Sequence, residues 1–240
     1  MYSNTIAIIP ARGGSKRIPR KNIRNFLGKP IISYSIEAAK KTGIFSEITV
    51  STDDLEIAEI SKQFGASIPF LRSSRNSDDF SPLKEVIKEV LANYSIMGKE
   101  FDYICCILPT SPMVSSENIF SAYNLIEKEN GDSTIAVVKY SHPIQRALRI
   151  QEGKIQFCWP EHRLTRTNDL ETSYHDTGSF YWIRRSSFEK QDQIFMQKSI
   201  PFELSEETVQ DIDNETDWKL AELKYQFMIN EKVREKREIS

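Results

Sequence analysis

No two cysteines in this chain stand at CxxC spacing, and their total of three is odd, which argues against a disulfide framework or a cysteine-built zinc site. Cys105, Cys106 and Cys158 read instead as reduced thiols packed in a core. The three histidines, His142, His162 and His175, share no metal-ligand spacing. No apolar run approaches the roughly twenty residues of a membrane helix, and no basic leader precedes a long apolar segment. The expectation is a cytoplasmic protein with no membrane attachment. Net charge is -2 over 240 residues, so no overall basic field points to nucleic acid. Walker A and GxGxxG signatures are both missing, which removes the usual ATPase and dinucleotide fingerprints.

Charge of one sign is missing locally rather than overall. Residues 1–36 hold seven Lys/Arg and no acid, the first being Glu37, while residues 203–217 hold seven Asp/Glu and no base. The basic stretch follows a short apolar run, Ile6-Ala7-Ile8-Ile9, that stops at Pro10 and reads as a buried strand. The loop after it carries Arg12, Lys16, Arg17, Arg20, Lys21 and Arg24 around Gly13-Gly14. Glycines let backbone approach a ligand closely, and amides with clustered cations suit a polyphosphate. With no acid nearby in sequence, these cations are expected to await an anion.

Strand and helix signals then alternate. Pro30 opens a helix through IISYSIEAAKKT that Gly43 closes, and Glu47–Thr52 is β-branched and short. Asp53 or Asp54 should cap a helix running to Phe64 and Gly65. Ser81-Pro82 starts another, with Leu83, Val86, Ile87, Val90, Leu91 and Tyr94 on one face. Phe101–Leu108 is an apolar strand, Ser115 or Ser116 caps a helix to about Glu129, and Ser133–Tyr140 is a further strand. Gly178–Arg184 is an aromatic strand, and Asn214 caps a last helix with Trp218, Ala221 and Tyr225 inward. The closing EKVREKREIS reads as a solvated, fraying helix end. These repeats imply an α/β fold, a mostly parallel twisted sheet with helices on both faces. The whole of 1–240 is expected to form one domain. Between about 141 and 173 the pattern degrades into an excursion from the sheet, without a core of its own.

Late in the chain, Asp211-Ile212-Asp213 projects two carboxylates from one face if extended. Such a pair suits Mg²⁺, which takes one or two carboxylates with phosphate and water oxygens. A capping turn before Asn214 would also explain it. Cations for phosphate and carboxylates for its metal are the two halves of a nucleoside-triphosphate site.

IPARGGSKRIPRKN, with Phe26-Leu27-Gly28-Lys29-Pro30 after it, resembles the N-terminal signature of the CMP-sialic acid synthetase family of cytidylyltransferases. Ser51-Thr52-Asp53-Asp54, Phe70-Leu71-Arg72, Leu108-Pro109-Thr110-Ser111-Pro112 and Asp211-Ile212-Asp213 extend the likeness through most of the chain. Pro143–Arg149 and Tyr174–Trp182 are most similar to the family's pseudaminic acid branch. The resemblance implies a nucleotide-diphospho-sugar transferase fold of Rossmann-like type. It also implies a homodimer built partly through the 141–173 excursion, with CTP and a nonulosonic acid sugar as substrates and Mg²⁺ as cofactor. By motif, Arg12, Gly13, Ser15 and Asn22 would contact CTP, with Arg72 and Ser81 near the nucleotide. Lys21 and Arg12 would act on the reacting phosphate, and Asp211 and Asp213 would bind metal, Asp211 also counting among the catalytic groups. Arg166 resembles the residue that faces the sugar carboxylate. His175 stands where the sialic acid enzymes tend to place arginine, and Leu108 replaces the glutamine of QPTSP; both lie on the sugar side. N-acetylneuraminic, legionaminic and 3-deoxy-manno-octulosonic acids are the alternative sugars. A non-catalytic nucleotide module is a weaker alternative, since binding alone would not require both Lys21 and the aspartate pair. A nucleic-acid binder is disfavoured by the acidic 203–217 stretch and the lack of basic–aromatic interleaving.

Overall fold

A computed structural model describes residues 4–238. In chain order its strands are β1 (Thr5–Pro10), the two-residue β2 (Asn25–Phe26) and β3 (Lys29–Pro30), β4 (Glu47–Ser51), β5 (Tyr103–Ile107), β6 (Ser133–Lys139), β7 (Leu148–Gln151), β8 (Lys154–Phe157), β9 (Tyr174–Arg184) and β10 (Ser199–Glu203). The helices are α1 (Ile31–Thr42), α2 (Leu55–Gln63), α3 (Leu83–Ile96), α4 (Ser116–Lys128), α5 (Arg185–Gln191) and α6 (Glu215–Glu238). Six strands form one sheet in the order β10-β6-β9-β5-β1-β4. All run parallel except β9, which is antiparallel to both β5 and β6. The mostly parallel sheet expected from the sequence is therefore present.

Local chemistry explains the boundaries. Gly43 ends α1 in the left-handed region at φ 68°, where a side chain would be strained. Of the two cap candidates for α2, Asp54 does the work, accepting from the Glu56 and Ile57 amides, while Asp53 turns to the Gly13 amide at 2.9 Å. Ser115, not Ser116, caps α4, and Asn214 caps α6 through the Thr216 and Asp217 amides. The aromatic strand begins at Tyr174 rather than Gly178, because Tyr174, His175 and Asp176 pair with β6 beyond a bulge. Neither α5 nor β10 was legible: SIPFE is a half-exposed edge strand whose proline sits where only one neighbour pairs. The expected fraying end is helical as far as Glu238, and residues 239–240 lie outside the described region.

Three apolar clusters hold the layers together. One joins a face of the sheet to α1, α2 and α4, with Trp182 fully buried at its centre. The second joins the opposite face to α3 and α5 through Ile87, Val90, Tyr94 and Phe188. The third lies beyond the carboxyl edge of the sheet: Ile18, Phe26, Ile31, Tyr34, Ile212, Trp218 and Ala221. Cys105 and Cys106 are buried as expected, but Cys158 is exposed, because the excursion that carries it has no interior. That excursion holds the hairpin β7–β8, turned by Glu152 and Gly153 at φ 51° and 74°. No helix among the described residues is long and apolar enough to cross a membrane.

Ile212 has no exposed surface and is packed with Ile18, Phe26 and Trp218. Ile212→Ala is expected to cost about 2–5 kcal/mol, read as a lower urea midpoint with an unchanged slope.

Candidate active site

The loop after β1 is fixed from three sides before any ligand arrives. Ile18 plugs into the third cluster, Asn22 is buried with its Nδ2 donating to the Arg12 carbonyl at 2.9 Å, and Arg20 pairs with Asp54 and Glu56 on α2. Arg24 meets Glu215 at 2.5 Å and lies over the Trp218 ring, 4.5 Å from its centroid. The expectation that Gly13 admits a ligand needs correcting. Its amide is taken by Asp53, and a Cβ there would fall 2.7 Å from Asp54 Oδ2, so glycine is demanded by the cap of α2. Gly14 has open space around it.

The expectation of uncompensated cations is corrected as well. Arg12 and Lys16 share Asp79 at 2.7 and 2.5 Å, and Arg17 meets Asp213 at 2.7 Å. Arg20 and Arg24 have the partners already named. Carboxylates absent from the neighbouring sequence arrive through the tertiary fold. Lys21 differs: its Nζ donates to the Ile212 carbonyl at 2.7 Å, and it forms no ion pair within 4.0 Å among the described residues. Burial holds its pKa below the ordinary lysine value, against the pull of Asp213 and Asp211.

Arg12, Ser15, Lys21, Asn22, Arg72 and Ser81 line one cleft of about 640 Å³, with Asp213 on its rim. It opens at the carboxyl ends of β1, β4 and β5, where parallel sheets bind ligands. Arg72 reaches it from a buried position, its guanidinium bonded to Ser51 Oγ at 3.0 Å and to the Ser51 carbonyl; burial lowers its pKa. Ser81 Oγ donates to Asp78 Oδ1 at 2.6 Å. Leu108 contributes an apolar wall.

Asp211 and Asp213 project to one side of the chain because Ile212 is drawn to the other. Asp213 faces the main cleft, and Asp211 faces an adjoining hollow of about 270 Å³ that it shares with His175 and Tyr140. Protein packed around the Asp211 carboxyl raises its pKa above the ordinary range, and repulsion from Asp213 adds to this; Lys21 opposes both. A solvent-accessible carboxylate beside a second one, with no ion pair of its own among the described residues, is a donor set that fits a hard divalent cation. The described residues hold no group of three or more His, Cys, Asp or Glu placed to bind metal. Any cation here would therefore complete its shell with water and substrate oxygens.

Two sugar-side expectations diverge. His175 reaches the smaller hollow, its ring 4.7 Å from Tyr140 and Nδ1 bonded to the Asp176 carbonyl oxygen at 2.9 Å. Arg166 does not join it: it sits on the excursion with its side chain 81% exposed, 3.9 Å from Asp169. Within one chain, motif position did not bring Arg166 to the cleft. Sequence reasoning missed Asp79, Asn76 and Asp78. The only signal was an acidic pair in a polar stretch, and nothing local says which distant cations it meets.

A family model described as cytidylyltransferase matches residues 6–234. The chain is 38% identical over 221 residues to a pseudaminic acid cytidylyltransferase from Campylobacter jejuni, covering 92% of this chain and 95% of that protein. It is 41% identical over 132 residues to a CMP-N,N'-diacetyllegionaminic acid synthase of Legionella pneumophila, covering 55% of this chain and 56% of that one. Among solved structures, a CMP:2-keto-3-deoxy-manno-octonic acid synthetase complexed with CTP aligns at TM-score 0.68 and 17% identity, over 95% of this chain and 100% of that one. At that identity the likeness speaks for the fold alone.

The Asp211 shift has a sign that can be tested. An unfolded Asp titrates near about 3.9, below the raised folded value. As pH rises the unfolded chain releases its proton first, and stability falls through this window. Asp211→Asn is therefore expected to melt higher than the parent at pH 7.5 in metal-free buffer, with the difference closing as pH falls towards about 4.

Proposed function

This chain belongs to the cytidylyltransferase family, and we propose that it transfers CMP from CTP to the anomeric hydroxyl of a nonulosonic acid, pseudaminic acid, with release of pyrophosphate. The observation that carries the reading is the juxtaposition of the basic loop and the aspartate segment. Lys21 Nζ is bonded to the carbonyl between the two aspartates, 2.7 Å away, so cations for phosphate and carboxylates for its counter-ion share one wall of one cleft.

The anomeric oxygen attacks the α-phosphorus in line, forming a new O–P bond as the bond to the β-phosphate bridging oxygen breaks. Pyrophosphate carries away the electron pair, and the hydroxyl proton must be accepted on the sugar side. Solvent that reaches the hollow beside His175 takes it, since both aspartates are assigned to the cation. Arg12 and Lys21 stabilise charge that grows on phosphate oxygens, and their pre-fixed positions spare reorganisation during the reaction. Arg72 and Ser81 flank the far wall, and Asn22 holds the backbone of Arg12. Asp211 and Asp213 would hold Mg²⁺, which when bound neutralises charge on the polyphosphate. His175 and Leu108 border the space left for the sugar. Cys105 and Cys106, free and buried, suit a reducing cytoplasm.

We further propose a homodimer through the 141–173 excursion. In its support, the hairpin presents Leu148, Ile150 and Ile155 at 53, 79 and 69% exposure, with Ile150 and Ile155 paired across the two strands. An apolar surface of this kind on a segment without a core calls for a covering partner. It also gives Arg166 a cleft to face on a second copy.

A second sugar has a specific observation behind it, the higher identity to the legionaminic enzyme over a shorter stretch. Pyrophosphate release with CTP and a panel of pseudaminic, legionaminic, N-acetylneuraminic and 3-deoxy-manno-octulosonic acids separates these. The largest kcat/KM is expected for pseudaminic acid, and activity with none of them would end the proposal. Lys21→Ala is expected to lower kcat by about 10²-fold, the size of one lost transition-state charge contact, with near-native circular dichroism. Ile150→Glu with Ile155→Glu is expected to halve the mass seen by light scattering.

A further inference from the structure

Asp78 and Asp79 both line the cleft without a part in the reaction above, and of the two Asp79 is the one that pairs with the basic loop. It comes from the segment between Asn76 and α3, yet its two oxygens are divided between Arg12 Nη1 at 2.7 Å and Lys16 Nζ at 2.5 Å. A carboxylate set between two cations is a close stand-in for two oxygens of a phosphate group. Contact with Lys16 first, and Arg12 after it, holds the Asp79 pKa below the ordinary carboxylate value, so it is ionised at neutral pH.

The partners of the other loop cations are of a different kind. Arg20 is paired with residues at the start of α2, and Arg24 with Glu215 in the first turn of α6. Asp79 instead lies in a turn without regular structure. The hydrogen bonds of that turn run within it and to residues 73 and 75, and Ser73 and Asn76 are tied in turn to Glu89 on α3. Asp78 accepts from the Phe80 amide at 3.0 Å and from Ser81 Oγ at 2.6 Å, Ser81 Oγ reaches the Arg75 carbonyl at 3.2 Å, and Ser77 Oγ bonds the Ser73 carbonyl at 2.7 Å. Among the described residues, the Asp79 ion pairs are thus the polar link between this turn and the basic loop. Phe80 beside it is 89% exposed. Asp79 and Phe80 can therefore turn outward while the bonds of Ser77 and Ser81 to residues 73 and 75 are kept.

We propose that Asp79 is an internal competitor for the polyphosphate: it occupies Arg12 and Lys16 while the cleft is empty, and an entering triphosphate or pyrophosphate displaces it and turns Asp79 and Phe80 away from the basic loop. Like charge enforces the exchange, since a phosphate and the Asp79 carboxylate cannot both sit between those two cations. The same competition acts in reverse after turnover, when the returning carboxylate helps to expel pyrophosphate. This rests on the reading of the cleft as a nucleotide site, but it concerns the anion alone.

Calorimetric titration of the full chain with pyrophosphate tests it without the reaction. Asp79→Asn keeps the shape and drops the charge, and is expected to bind pyrophosphate about 10-fold more tightly. Glu59→Gln, which removes one negative charge from the exposed side of α2 outside the cleft lining, is expected to leave that affinity unchanged. An unchanged or weaker affinity in Asp79→Asn overturns the proposal, as does an equal gain in Glu59→Gln. Phe80→Trp in the otherwise native chain supplies a readout that does not require removing Asp79. Its emission should shift with pyrophosphate over the same concentration range as the heat, and a silent signal despite measured heat refutes displacement. CTP against ATP in the same titrations keeps the two readings apart. Equal affinities with a tightened Asp79→Asn would sink the cytidine assignment alone, and a CTP preference with an unmoved Asp79→Asn would sink the competitor alone.

Discussion

The burial of Ile212 among Ile18, Phe26 and Trp218 is the contact on which the site depends. Ile18 belongs to the basic loop, Ile212 to the acidic segment, and Trp218 to α6, so one apolar cluster ties segments about two hundred residues apart. Because successive side chains in an extended segment point to opposite sides, anchoring Ile212 inward obliges Asp211 and Asp213 to face outward together. Hydrophobic burial thereby does electrostatic work: it holds two carboxylates side by side that would otherwise separate. Lys21 confirms the register from the polar side by donating to the Ile212 carbonyl.

The charges are arranged around that anchor at different degrees of commitment. Arg20 and Arg24 are locked to helix starts and serve the shape of the loop. Arg12 and Lys16 are held by a carboxylate that a stronger anion could replace, and Arg17 by one that a metal ion could claim in its place. Lys21 and Asp211 are the partly desolvated members, each with its pKa moved towards the neutral form. Groups kept in that state answer most strongly to a charged substrate, because the surrounding protein screens it less than water would. The cost is a cleft less stable without its ligands than its contacts suggest.

Much of the fold could be read directly. Helix α1 was bounded by Pro30 and Gly43, α3 by the spacing of Val86, Ile87, Val90 and Tyr94, and α6 by Asn214. Those signals are local, a capping side chain or an apolar period. The reading failed at β10 and α5, where a half-exposed edge strand and a single short helix carry little periodicity. It failed at the start of β9, whose polar first residues become strand only because β6 lies beside them. Cys158 misled because a cysteine is usually buried, and this one sits on a hairpin without an interior. The site divides similarly. Arg12, Lys21, Asn22, Arg72 and Asp213 converge as their motifs implied, and Gly13 proved to be needed by a neighbouring helix cap.

The sequence alone determined the parallel α/β architecture, the basic loop after the first strand and the late aspartate pair, because each is written in residues within a few positions of one another. Only the tertiary structure decided that Asp79 sits between Arg12 and Lys16, that Ile212 orients the aspartates, and that Arg166 stands apart from the cleft of its own chain. Ion pairs and apolar clusters join residues by proximity in space, and a string of residues does not record which distant carboxylate will reach which cation. That is settled when the layers pack.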